Sequence, residues 1–309
     1  MSELTANPVE RSLAVNTVNA NVATVFRPAA KAPLAERLRG AASYPPRHPA
    51  TFIAGLVAAV VIIAALFPQL VTPVDPTKTT PADKLLAPSA AHWFGTDQLG
   101  RDMFARVVYG GRATISASLL SLAIAALGGL AIGIIAGYAG RAVDAAVMRF
   151  VDVLLAIPGL MLAITIVTAI GFGTIPVAIA IGIGLIPAFA RTTRSQVLSV
   201  KERSYVDAAR VCGCSPLRIV LTHILPNSLG PVLVLSLLDF GRVIMSVATL
   251  SFLGFGAKPP AAEWGTLIND GKNYLLTSPW VPLIPGFVVV ATVLSVTVLA
   301  NAAKKAASK

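Results

Sequence analysis

Residues 204–227 read SYVDAARVCGCSPLRIVLTHILPN. They form a polar-punctuated segment within the apolar two-thirds of the chain, and they hold two helix-start signals in succession. Ser204 followed three residues later by Asp207 has the spacing of a capping box, in which the hydroxyl accepts an orphan backbone N–H and the carboxylate reaches back. Ala208 and Ala209 propagate a helix at little cost. Gly213 suits a left-handed stop. Ser215-Pro216 then offers a fresh N-cap with proline at the first helical position. The pattern predicts a short helix, a sharp turn, and a second helix that meets Pro226 just before another apolar span.

The rest of the chain decides where such a loop can sit. Of 309 residues, 55% are hydrophobic and only 13% charged, and the mean hydropathy is +0.76. That is not the composition of a soluble domain. The apolar residues gather into blocks that reach the roughly 20 residues a bilayer-crossing helix needs. The expected fold is all-α and polytopic, with six transmembrane helices near residues 50–70, 115–138, 147–170, 175–190, 228–255 and 281–301. Pro158 should kink the third. Gly129, Gly133 and Gly137, four apart on the second, allow another helix to approach closely, and packing within the chain explains them better than a subunit contact.

Residues 1–48 are polar, lack the apolar core of a secretory signal, and read as a cytoplasmic tail. Residues 49–112 then hold the first span and an external loop, residues 113–302 a transmembrane domain with the loop at 199–227, and residues 303–309 a second tail. With six spans both termini share one side. The loops on that side carry seventeen Lys and Arg, and those on the opposite side seven. The positive-inside rule therefore places the termini and residues 204–227 in the cytoplasm. The net charge of +11 is explained by this scatter at span ends, not by a stripe of the kind that binds nucleic acid.

No catalytic constellation is visible. Gly265 to Gly271-Lys272 fails as a phosphate-binding loop, with one residue too many and Asn273 where Ser or Thr belongs. Asp239-Phe240-Gly241 copies a kinase tripeptide but lies inside an apolar span. Cys212 and Cys214 have no companion ligands, and His48, His92 and His223 are far apart, so no metal site is expected. Asp239 and Arg242 need separate weighing, because ionisable groups in mid-span cost about 2.5–3.5 kcal/mol each on insertion scales. At i and i+3 they can pair with each other. Either they line a translocation path and meet a zwitterionic peptide's termini, or they are a self-neutralising packed pair.

Three motif blocks carry a family resemblance. Asp207-Ala208-Ala209, Gly213 and Leu225-Pro226 match the spacing of the EAA loop in permease subunits of binding-protein-dependent ABC importers, with Asp207 for the usual Glu and His223 in the Ile slot. HWFGTDQLGRDMFARVVYGGR, residues 92–112, resembles the GTDxxGRDxxxRxxYGxR signature of the dipeptide, oligopeptide and nickel branch. Residues 257–280 resemble its PPxxEWGxxxxxGxxY segment of the outer vestibule. The C-terminal VLANAAKKAASK departs from the family's Asn-Leu-Gly-Asp ending.

The resemblance implies a type I importer permease in the bacterial cytoplasmic membrane. It makes Tyr205, Asp207, Ala208, Ala209, Gly213, Pro216, Leu217 and Arg218 the ATPase-coupling residues, with Ala208 and Ala209 as a low-profile docking face. Its implied partners are a homologous second permease, two cytoplasmic ATPase subunits that hold ATP and Mg2+, an extracytoplasmic solute-binding protein, and the lipid bilayer. The implied cargo is a di- or oligopeptide, with nickel, glutathione or another small solute as the alternative. A secondary transporter, from a different class, should display inverted repeats with broken helices at matched positions; Pro158 and Pro187 do not supply that symmetry.

Overall fold

The computed structural model describes residues 49–307. The expected tail at 1–48 and the last two residues of the expected tail at 303–309 lie outside the described residues. Among these, every extended element is helical, apart from one isolated bridge between Thr96 and Asp102. The main helices are α1 (Pro49–Leu66), α2 (Met103–Tyr138), α3 (Arg141–Ala156), α4 (Gly159–Ile170), α5 (Thr174–Lys201), α6 (Ser204–Val211), α7 (Pro216–Phe252), α8 (Trp264–Gly271) and α9 (Trp280–Ala307).

Of these, α1, α2, α5, α7 and α9 are long and apolar enough to cross a bilayer. The third expected span, at 147–170, is not one helix. It is α3 and α4, bent by 95°. Pro158 denies the preceding residue the helical region, and Ile157 accordingly turns extended at φ −83°, ψ 129°. The pair still crosses the layer. It begins beside Arg194 near one end of α5, where Asp144 accepts from the Arg194 guanidinium, Nη2 to Oδ2 at 2.6 Å. It ends just before Thr174, at the other end of α5. We read it as a broken sixth span.

Two further boundaries differ from expectation. The domain break expected after residue 112 falls inside α2, which starts at Met103 because the Asp102 carboxylate accepts the Ala105 N–H at 2.8 Å. The second helix of the 204–227 loop does not stop at Pro226 but runs on to Phe252. A π-turn at Val220–Ile224, with the Leu225 N–H bonded to the Val220 carbonyl, absorbs the proline without a break.

The core is the α2–α5 seam. A Cβ on Gly129 would stand 2.3 Å from the Phe189 Cβ, one on Gly133 2.5 Å from the Thr193 Cβ, and one on Gly137 2.7 Å from Val197 Cγ1. The three glycines therefore serve packing within the chain, as their spacing suggested. The Ser121 hydroxyl crosses the same seam to the Ala178 carbonyl at 2.9 Å. Helix α7 packs on this pair, and α1 lies outermost against α2 and α9. Helix α1 buries only Ala54, Ala58 and Ala65 and exposes Phe52, Ile53, Leu56 and Ile63. That is the pattern of a helix facing lipid.

Candidate functional site

The loop from α6 to the start of α7 stands on a small apolar base of its own. Val206 of α6 and Ile219 and Ile224 of α7 are buried against Val197 and Val200 of α5, with Ile134 and Tyr138 of α2 beside them. The expected capping box does not form. Arg203, not Ser204, is the N-cap, and its backbone carbonyl accepts the N–H groups of Val206 (2.9 Å) and Asp207 (3.3 Å). With those donors satisfied by backbone, the Asp207 carboxylate turns outward and pairs with Arg210 at 2.8 Å.

Helix α6 ends in a Schellman turn. Cys214 N–H bonds the Ala209 carbonyl and Gly213 N–H the Arg210 carbonyl, both at 3.0 Å, with Gly213 at φ +77°. Ser215 and Pro216 then start α7 at the N-cap and first helical positions, without a side-chain cap bond. This geometry sorts the expected coupling residues by side. Tyr205, Asp207, Ala208, Pro216, Leu217 and Arg218 are exposed, whereas Ala209 is half-buried against the loop's own base. Of the expected docking face, Ala208 is exposed, and Ala209, one turn from Val206, is half-buried. Sequence reading missed Val211 and Leu221. They are exposed with Leu217, Val211 at 90% and Leu217 at 68%. They form an apolar ridge flanked in sequence by the exposed Arg203, Arg210 and Arg218.

Helix α7 runs 37 residues from this ridge without a break, and its mid-span charges lie about two-thirds of the way along it. There Arg242 Nη2 meets Asp239 Oδ1 at 2.9 Å, with the Asp239 side chain 12% exposed and that of Arg242 64%. The pair forms, as the i, i+3 spacing allowed. Asp239 Oδ2 is buried with no hydrogen-bond partner, and most of the guanidinium projects away from the chain.

At the opposite end of the spans lies an electrostatic lattice that sequence reading did not assign. Asp97 and Arg101 are buried and bond at 2.6 Å, and the buried Arg106 Nε lies 3.4 Å from the same Asp97 oxygen. Burial pushes the nearby Asp270 carboxyl above the usual aspartate range, against the opposing pull of Arg106 and Arg101. His92 Nδ1 contacts Asp102 Oδ2 at 2.8 Å. Glu263, fully buried, accepts from the Ser251 hydroxyl (2.7 Å), the Thr174 hydroxyl (3.0 Å) and the Ala257 N–H (2.9 Å). The signal that could have revealed it is a carboxylate set between prolines and Trp264 in an apolar loop. Among the described residues, no three His, Cys, Asp or Glu side chains converge to hold a metal ion.

A family described as the inner membrane component of binding-protein-dependent transport systems matches residues 129–309. The dipeptide transport system permease protein DppC of Alkalihalophilus pseudofirmus is 40% identical over 245 residues, covering 79% of this chain and 81% of that protein. The probable D,D-dipeptide transport system permease protein DdpC of Escherichia coli K12 is 38% identical, covering 79% and 82%. The glutathione transport system permease protein GsiD of Pectobacterium atrosepticum is 37% identical, covering 82% and 84%. Among solved structures, a chain of the MetNI methionine ABC transporter in an inward-facing conformation superposes with a TM-score of 0.51 at 18% identity, over 66% of this chain and 95% of that one. At that identity the likeness speaks for the fold.

Proposed function

Because the chain belongs to the inner-membrane components of binding-protein-dependent ABC transport systems, in their dipeptide, oligopeptide and nickel branch, we propose that this permease subunit builds half of an ATP-driven import path for small peptides. It is non-catalytic. ATP and Mg2+ belong to two cytoplasmic ATPase subunits that dock on the α6–α7 ridge. A homologous second permease completes the path, and an extracytoplasmic binding protein delivers the cargo. The membrane is the bacterial cytoplasmic membrane, with both termini inside. The observation that carries the reading is the ridge of Tyr205, Val211, Leu217 and Leu221 on its buried base. Closure of the ATPase pair pulls on that base, and α5 and α7 convey the pull because both contribute side chains to it. Peptide cargo is supported by the dipeptide and glutathione systems for which the relatives are named.

Topology tests the frame of this reading. With Cys212 and Cys214 changed to Ser, single cysteines at Ser215 and Leu276 are good reporters, since both positions are exposed. Ser278, equally external, is buried and unsuitable. An impermeant thiol reagent on intact cells should label only the Leu276→Cys variant. Labelling at Ser215→Cys before the cells are opened would overturn the orientation.

The Asp239–Arg242 pair belongs to the path in this reading. A guanidinium left this exposed in mid-span must face water or a partner, because lipid would not tolerate it. Arg242→Ala should lower the yield of assembled complex several-fold by stranding the buried Asp239 carboxylate. The Asp239→Ala, Arg242→Ala double variant should recover the yield but take up peptide at about a tenth of the normal rate or less, as expected when a charge-assisted contact to substrate is lost. Complex yield and uptake in proteoliposomes give both readouts. Full recovery of uptake in the double variant would reduce the pair to self-neutralisation.

A further inference from the structure

A cavity of about 450 Å3 opens between α1, α2, α7 and α9. Its walls are apolar, with Ala58, Ile62 and Ala65 on one side and Ile244 and Val296 on the other. Its polar wall groups are already satisfied. The Ser116 hydroxyl donates to the Ala113 carbonyl at 3.0 Å and the Thr292 hydroxyl to the Val288 carbonyl at 2.7 Å. The exception is Arg112 of α2, which is exposed and makes no hydrogen bond or ion pair among the described residues. Its charge has no partner among the described residues.

The height of Arg112 limits what can supply a counter-charge. Arg112 shares the cavity with Ala65 and Leu66, the last turn of α1. Tyr109 stands one turn farther out on α2, and the continuous apolar run of α2 begins just after Arg112. Arg and Tyr at the end of an apolar run mark the headgroup zone of a bilayer. The cavity thus has a cation level with lipid phosphates and an apolar body extending from there into hydrocarbon. Its volume lies within the range of small-molecule sites.

We propose that this cavity binds a glycerophospholipid from the leaflet on the side of residues 72–102, with its phosphate on Arg112 and one acyl chain between α1 and the α2–α7–α9 wall. Helix α1 buries only alanines here, so the lipid chain supplies contact that its own side chains do not make. A peptide cargo fits poorly, because the walls have no free polar groups for a backbone. The inference rests on the chain crossing a bilayer and is independent of which solute it carries.

The test uses the whole complex in nanodiscs that contain phosphatidylglycerol with a photoactivatable diazirine in its acyl chain. Wild type and Arg112→Lys should be labelled on peptides from α1 and α2. Arg112→Gln should be labelled roughly fivefold less, the factor that one interfacial cation contributes. Ala58→Phe, which fills the cavity and keeps the charge, should lose the label as well. A benzophenone side chain at Ile62 in the otherwise native complex should cross-link to lipid. This arm needs no cavity variant to fold, and peptide uptake is not its readout. Labelling that is equal in all variants, no lipid adduct from Ile62, or an adduct to the second permease or another protein would each overturn the proposal.

Discussion

Changing Val211 and Leu217 together to Asp is expected to release the ATPase subunits while leaving the permease itself folded. Both side chains are largely exposed in the isolated chain, so they contribute little to its stability. Buried under a partner they become apolar anchors, and a well-packed anchor contributes about 2 kcal/mol or more, a loss of roughly 30-fold in affinity for each. An aspartate in that place adds the cost of desolvating a charge. The measurement is copurification of ATPase with permease, followed by substrate-stimulated ATP hydrolysis and uptake in proteoliposomes. The permease should be recovered in normal amount with its partner missing and uptake abolished. If the double variant keeps wild-type stoichiometry and coupling, the ridge is not the docking surface, and the assignment of residues 204–227 as a coupling element fails.

Other substitutions in the same loop should act differently, for reasons that geometry makes explicit. Ala209→Glu places a carboxylate among Val206, Val197 and Ile219, so it should disturb the base of the loop before it affects docking. Gly213→Val imposes a β-branched residue on φ +77°, a strain on the order of 1–2 kcal/mol. Asp207→Ala removes only an exposed i, i+3 pair with Arg210, worth a few tenths of a kcal/mol. Its loss should be nearly silent unless Asp207 also meets a cation on the ATPase.

Much of this loop was legible from sequence because its signals are local. A positive-φ stop at Gly213 and a proline at the first position of the next helix need no tertiary context. Where tertiary contacts compete, the local reading failed. Ser204-x-x-Asp207 has capping-box spacing, but the turn leaving α5 had already positioned the Arg203 carbonyl on the same donors. Ala208 and Ala209 are identical in composition and adjacent, and only the position of Val197 and Val200 decides which of them faces inward. The third span was readable as apolar, and Pro158 as a kink. The 95° angle was not, because it belongs to a tertiary arrangement in which Asp144 and Asp152 of α3 meet Arg194 and Arg191 of α5, fifty and thirty-nine residues away in sequence. Helix α2 starts at Met103, twelve residues before the expected span, because Asp102 caps it, a start that hydropathy alone does not register.

The same distinction makes Glu263 the most consequential residue at the end of the spans opposite the 204–227 loop: its local sequence marks a carboxylate in an apolar loop but not the partners that it binds. Its carboxylate joins three segments: Ser251 at the end of α7, Ala257 in the connection to α8, and Thr174 at the start of α5. The junction is tight, since a Cβ on the neighbouring Gly265 would stand 2.3 Å from the Ala248 carbonyl oxygen. The surrounding backbone therefore has little room to collapse into a vacancy. Glu263→Ala leaves three donors without an acceptor and should cost about 3–5 kcal/mol. Glu263→Gln keeps the shape but turns an N–H2 toward one of those donors, and should fall in between. Ser251→Ala and Thr174→Val each remove one hydrogen bond, about 1 kcal/mol. The expected order of thermal stability for the detergent-purified complex is wild type, the two single-donor variants, Glu263→Gln, then Glu263→Ala, with membrane yield following the same order. Pairing Glu263→Ala with Thr174→Val should cost less than the sum of the two, because the second change removes a donor that the first had stranded. Wild-type stability in Glu263→Ala, or strict additivity in the pair, would mean that these hydrogen bonds do not hold together the ends of α5 and α7 opposite the 204–227 loop.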